Sequence, residues 1–217
     1  MSQPSLQYLV RKPKLNSGPS PLLLLLHGYG SNEKDLFSFA SELPEELLII
    51  SIQAPLSLGF DSYAWYTIHF DQNADKFSDI PEARKSLILI DEFIAELKTK
   101  FEINEQKIFM LGFSQGAILS SAYALNHPEK IQYILALSGY LNTELIKQDL
   151  DLEAIKKLDF FVSHGSVDQV IPADWARRTP DILNTLKVPN VFKEYPVGHG
   201  VAPQNFYDLR NWIEERL

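Results

Sequence analysis

Short, unbroken apolar runs recur along the chain at 22–27, 47–52, 107–112, 131–137, 159–164 and 191–195. Hydrophobicity without alternation marks strands covered on both faces, the habit of a parallel sheet between helices. Between these runs lie helical patterns. The clearest covers 81–101, where Leu87, Ile90, Ile94, Leu97 and Phe101 recur at intervals of three and four, and Pro81 suits its first turn. Others are predicted over 33–43 behind Asn32 as cap, over 115–126 before Pro128, over 173–186 and over 203–217. Pro180 is expected to kink or split the fourth of these. The segment 6–12 alternates weakly and reads as an edge strand, since Pro13 and Ser17-Gly18-Pro19 then break the chain.

Strand and helix alternating in this way predict a three-layer α/β fold, a mostly parallel central sheet with helices on both faces and right-handed crossovers. Ligands of such sheets sit at the carboxyl ends of the strands. The stretch 53–80 has no clear pattern, and a segment of that length is expected to overhang the site. At 217 residues the chain is expected to form a single domain over 1–217, and no repeat points to a solenoid.

Composition narrows the function classes. Hydrophobic residues make up 45% and charged residues 22%, which excludes a disordered or fibrous chain. There is no cysteine, which removes disulfides, thiolate metal sites and a cysteine nucleophile and suits a reducing, cytoplasmic location. The start Met1-Ser2-Gln3-Pro4 lacks the basic and apolar stretches of a signal peptide. The densest apolar run, Leu22 to Leu26, falls far short of the roughly twenty residues of a membrane span, so no stable membrane insertion is expected. A net charge of -8 repels phosphate backbones, so nucleic acid is not an expected partner. No oligomeric state follows from the sequence.

The chemistry concentrates at Gly112-Phe113-Ser114-Gln115-Gly116, a G-x-S-x-G pattern between an apolar strand and a helix. A serine hydroxyl is a weak nucleophile and must be presented on a strained turn, within reach of a base and facing helix amides. Two glycines permit that turn where a side chain would strike neighbouring backbone. The bare pattern arises by chance in roughly one chain of this size in fifteen, so the strand before and the helix after it carry the weight.

In this arrangement the acid and then the base follow the nucleophile in the chain. His199, between Gly198 and Gly200 just past the last strand, is the expected base. His164 ends a strand and is expected to point into the sheet edge. Asp168, just past the fifth strand, is the expected acid, whereas Asp174 after Pro172 reads as first-turn helix charge. Ser114, Asp168 and His199 each follow a separate predicted strand at the same end of one sheet. The oxyanion hole is expected from the backbone N–H groups of Gln115 and of Tyr29, the latter in His27-Gly28-Tyr29-Gly30 after the leucine-rich strand. His27 itself reads as a polar anchor within the loop. A metal site of His164, Asp168 and His199 lacks a helical i, i+4 pair or a further close ligand, so no metal is expected.

Taken together, Leu26-His27-Gly28-Tyr29-Gly30, Gln53-Ala54-Pro55, Ala64-Trp65-Tyr66, Gly112-Phe113-Ser114-Gln115-Gly116, Leu137-Ser138-Gly139, His164-Gly165-Ser166-Val167-Asp168, Val170-Ile171-Pro172 and Gly198-His199 resemble the phospholipase/carboxylesterase group of α/β-hydrolases, which includes the acyl-protein thioesterases. The resemblance implies a hydrolase without a cap domain or a cofactor, acting on a small-molecule acyl ester or thioester. It implies the same nucleophile, acid, base and oxyanion amides. It also suggests that Trp65 lines the acyl side of the pocket; an aromatic packed beneath a long loop is the competing reading. Where thioesterase members commonly carry Trp-Phe-Asp, this chain has Trp65-Tyr66-Thr67. Phe60, Trp65, Tyr66 and Phe70 are the expected apolar contacts for an acyl chain. The expected activity is ester or thioester hydrolysis through a Ser-His-Asp triad and an acyl-enzyme. The alternative is a hydrolase-fold binder that holds an acyl or lactone ligand without turning it over.

Overall fold

A computed structural model describes residues 5–15, 18–70 and 76–217. Seven strands build the central sheet: β1 (Tyr8–Arg11), β2 (Ser20–Leu26), β3 (Leu48–Ile52), β8 (Ile103–Phe113), β9 (Tyr133–Leu137), β10 (Asp159–Gly165) and β11 (Asn190–Tyr195). Their spatial order is β1-β3-β2-β8-β9-β10-β11, with β1 antiparallel at one edge and the other pairings parallel. The leucine run shows why the sheet is buried on both sides. Leu22, Leu24 and Leu26 of β2 face one apolar cluster, and Leu23 and Leu25 face the other. Successive strand side chains point to opposite faces, so an uninterrupted apolar strand needs cover on each.

Helices supply that cover. On the first face lie α2 (Ile80–Lys100), α3 (Gln115–Asn126) and α4 (Ala173–Thr185), contributing Ile90, Phe93, Ile94, Leu119 and Leu183 to the core. On the second lie α1 (Lys34–Phe37) and α5 (Pro203–Glu214), with Leu36, Leu209, Trp212 and Ile213. The start of α2 is fixed by Asp79, whose side chain accepts from the Glu82 N–H, and by Pro81 in the first turn. Among the described residues, no helix is long and apolar enough to cross a membrane.

Three elements differ from the sequence reading. The helix expected over 33–43 is a single α-helical turn followed by a 3-10 turn at Ser38–Ser41. The Ser38 hydroxyl donates back to the Asp35 carbonyl, and the backbone tightens there. The N-cap position is Glu33 rather than the expected Asn32, which lies one residue earlier and accepts from the Lys34 N–H. Pro180 does not split α4, which runs unbroken across it. It removes only the N–H that would have reached the Ala176 carbonyl, and neighbouring Thr179 anchors the helix by accepting from the Leu141 N–H at 3.0 Å.

The patternless stretch after β3 holds two small hairpins. The first joins β4 (Leu56–Gly59) to β5 (Ser62–Ala64), and the second joins β6 (Ile68–Phe70) to β7 (Lys76–Ser78). Phe60 and Asp61 turn the first with φ of 51° and 58°, the two positive values that a type I′ turn requires. Neither residue is the Gly or Asn that announces such a turn, which hid the hairpin from a sequence reading.

Among the described glycines, the tightest site lies where α3 meets β2. A Cβ on Gly116 would collide with the Leu26 carbonyl, and one on Gly112 with the backbone of Gly116. Gly116→Ala is therefore expected to cost about 3 kcal/mol or to abolish folding, read from the denaturant midpoint. Gly198→Ala, where a Cβ meets nothing within 4 Å, should stay within about 0.5 kcal/mol of wild type. Equal losses at the two positions would contradict this packing argument.

Candidate active site

Ser114 sits between β8 and α3 with φ 53° and ψ -115°, a strained conformation for a residue with a side chain. Its N–H donates to the Leu137 carbonyl at 2.8 Å and its carbonyl accepts from Ala117 and Ile118, so the strain is held on both sides. The structure brings the three expected residues together. His199 Nε2 lies 2.9 Å from Ser114 Oγ, and His199 Nδ1 lies 2.7 Å from Asp168 Oδ2. A neutral imidazole that donates Nδ1–H to the carboxylate keeps Nε2 free to accept from the serine hydroxyl.

Asp168 is a buried carboxylate with both oxygens engaged. Oδ1 accepts from the N–H groups of Val170 at 2.7 Å and Ile171 at 3.0 Å, and Oδ2 faces His199. Burial pushes its carboxyl up, but the hydrogen bonds from His199, Ile171 and Val170 outweigh that effect and hold it below the ordinary aspartate value. Asp174, by contrast, is exposed and pairs with Arg177 at 2.7 Å, the first-turn role expected of it.

His164 does not point into a bare sheet edge. Its side chain is buried beside the acid, with Nε2 at 2.9 Å from the Ile171 carbonyl and 3.3 Å from Asp168 Oδ2. Both neighbours are acceptors, so Nε2 carries the proton, and the buried Nδ1 has no partner among the described residues. Gly165 explains the difference: a Cβ there would collide with the carbonyls of Val197 and Gly198, so β10 ends packed directly against the loop that carries His199.

The glycine-rich loop after β2 reaches the same point. A Cβ on Gly28 would stand 3.3 Å from Ser114 Cβ. Gln115 opens α3, where the first N–H groups have no intrahelical acceptor, and the dipole there favours negative charge. Among the described residues, the N–H groups of Tyr29 and Gln115 have no protein acceptor. His27 is the anchor it was expected to be. Its Nε2 accepts from the Ala54 N–H at 3.0 Å, which leaves Nδ1–H to donate to the Gly28 carbonyl at 2.7 Å. Burial pushes this imidazole below its ordinary pKa and keeps it in that neutral form.

The side chain of Gln115 has a role that the sequence did not announce. Its Oε1 accepts from the Trp65 N–H at 2.8 Å and its Nε2 donates to the Tyr66 carbonyl at 2.7 Å, tying the strip between the two hairpins to the nucleophile helix. The Trp65 indole donates to the His27 carbonyl at 2.9 Å, and Ser86 donates to the Trp65 carbonyl. Trp65 and Tyr66 are each only 1% exposed, packed beneath the hairpins. Phe60 is wholly exposed at the first hairpin's tip. The side chain of Phe70 lies outside the described residues.

A sheet of this order, with serine, acid and base following separate strands at their carboxyl ends, defines an α/β-hydrolase. More specifically, residues 11–217 match the phospholipase/carboxylesterase family, and the chain belongs to it. It is a hydrolase. The acyl-protein thioesterase 1 of Candida albicans is 28% identical over 222 residues, covering 94% of this chain and 96% of that protein. Among solved structures, a carboxylesterase from Mesorhizobium loti superposes with a TM-score of 0.82 at 17% identity, over 99% of this chain and 97% of that one. Zea mays acyl-protein thioesterase 2 gives 0.76 at 23% identity, over 96% and 98%. At those identities the superpositions show the shared fold.

Two outcomes follow from the geometry. Gln115→Ala keeps the backbone N–H but leaves Trp65 N–H and the Tyr66 carbonyl without partners, so it should cost about 1–3 kcal/mol in denaturant unfolding. A loss below about 0.3 kcal/mol would contradict the clamp. A depressed carboxyl stabilises the fold above its unfolded value, about 3.9, and that contribution fades as pH falls through the lower folded value. The stability gap between wild type and Asp168→Asn should therefore not shrink between pH 7 and about pH 4 and should fall only below it. A gap already closing at pH 6 would contradict the assignment.

Proposed function

We propose that the chain cleaves carboxylic esters, including thioesters, through Ser114 as nucleophile, His199 as general base and acid, and Asp168 as the group that orients and stabilises the imidazolium. The observation that carries this reading is the continuous hydrogen-bond relay from Ser114 Oγ through His199 to Asp168 Oδ2. His199 Nε2 takes the serine proton as Oγ bonds to the acyl carbon. The carbonyl π electrons move to oxygen, and the N–H groups of Tyr29 and Gln115 donate to the resulting oxyanion. Collapse expels the alkoxide or thiolate, which leaves with the proton returned by His199. A water molecule, deprotonated by the same imidazole, then opens the acyl-enzyme and regenerates Ser114.

Neither metal nor cofactor enters these steps. Likeness to proteins named acyl-protein thioesterase supports an acyl ester or thioester as the scissile group. The hairpin segment carrying Phe60, Trp65, Tyr66 and Phe70 is proposed to border the acyl chain, with Trp65 and Tyr66 acting from beneath as its packed floor. The proposal includes action as a single domain and a cytoplasmic setting, which the absence of cysteine supports.

Exposure to a fluorophosphonate followed by peptide mass spectrometry should place the label on Ser114. Ser114→Ala and His199→Ala should each cut kcat by roughly 10⁴ to 10⁶ with folding retained, and Asp168→Asn by about 10⁴. Folded protein that carries no label at Ser114, or that loses more activity on Asp174→Asn than on Asp168→Asn, would overturn the assignment.

A further inference from the structure

A cavity of about 430 Å³ opens between the end of β7, the loop after β9 and the exposed side of α4. Ser78, Tyr140, Asn142, Glu144, Trp175 and Arg178 are among the residues that line it. Its wall begins one residue from the nucleophile's surroundings. A Cβ on Gly139, which precedes Tyr140, would stand 3.0 Å from the Ser114 carbonyl oxygen. The wall is also firmly built. Trp175 meets Tyr140 edge to face at 5.3 Å, and Leu141 is hydrogen-bonded to Thr179, the residue after Arg178.

The polar groups here are mostly donors. Arg177 is committed to Glu194 and Asp174, whereas its neighbour Arg178 makes no hydrogen bond or ion pair with any described residue. Asn142 spends its side-chain oxygen on the Glu144 N–H, which leaves the amide nitrogen to donate. The Ser78 and Tyr140 hydroxyls are hydrogen-bonded to each other, and Ser78 also to Tyr66. The one carboxylate among the lining residues, Glu144, forms no ion pair with a described residue. A guanidinium fork beside a side-chain amide N–H is a donor set that recognises a carboxylate or phosphate, and the two aromatic rings suit the apolar segment behind such a group.

Building on the assignment of Ser114 as nucleophile, we infer that this cavity seats an anionic oxyacid group carried by the ester substrate, with Arg178 as its counter-ion. The anion can be borne by the acyl part or by the alcohol part, and one experiment separates the two. Wild type and Arg178→Gln are compared on p-nitrophenyl hydrogen glutarate against p-nitrophenyl valerate, and on 4-carboxyphenyl butyrate against phenyl butyrate. The substitution is expected to lower kcat/KM for the anionic ester of one pair by roughly tenfold, mainly through KM. The neutral esters should change by less than about twofold. The responding pair identifies the side that carries the charge. Equal losses on charged and neutral esters, or no loss on either charged ester, would overturn the inference. If wild type hydrolyses none of the four, or turnover survives Ser114→Ala, the nucleophile assignment fails instead. The cavity is then judged by titrating free glutarate calorimetrically. Binding to wild type that is lost in Arg178→Gln supports the anion site, and identical or absent heats reject it.

Discussion

The site depends on one steric constraint, the near contact of the α3 N-terminus with the end of β2. Gly116 brings the helix backbone against the Leu26 carbonyl, and Gly112 accepts the returning chain. With that contact made, Ser114 has no room for a relaxed turn and is held at positive φ, anchored to β9 through its N–H. The same approach sets the first amides of α3 beside the Gly28 loop. A looser packing would free the serine to relax and would dissolve the alignment with the imidazole.

Around this contact the protein repeats the device of a missing side chain to join loops. Gly28 abuts Ser114, Gly139 abuts its carbonyl, and Gly165 packs the acid loop on the base loop. Polar groups then lock each loop in one state. Asp168 uses both oxygens, His27 is fixed in one tautomer, and Gln115 clasps Trp65 and Tyr66. Buried polar groups that are satisfied in this way rigidify a site, because each alternative geometry leaves an unpaired donor or acceptor. The relay is thus held in place before any substrate arrives, the condition under which electrostatic stabilisation is most effective.

Much of this was legible in the residues. Unbroken apolar runs foretold a sheet covered on both faces, and the motif between strand and helix located the elbow. The separate positions of Asp168 and His199 after later strands pointed to their meeting. What stayed hidden was of two kinds. The first hairpin turns on Phe60-Asp61, and both hairpins have strands of three or four residues, too short and too ordinary in composition to announce themselves. The partners of His164 and of the Gln115 side chain are set by tertiary approach, which periodicity does not encode. Gly165 after His164 was the one local signal that the strand end packs tightly. Pro180 does not split α4, because a helix held by its neighbours continues through a single missing hydrogen bond.

The relay can be tested while it works. Rapid-quench peptide mass spectrometry during hydrolysis of a p-nitrophenyl ester should reveal a transient acyl group on the peptide containing Ser114, formed faster than it decays and absent in Ser114→Ala. Sustained turnover with no acyl adduct on that peptide, at a rate unchanged by Ser114→Ala, would contradict the account.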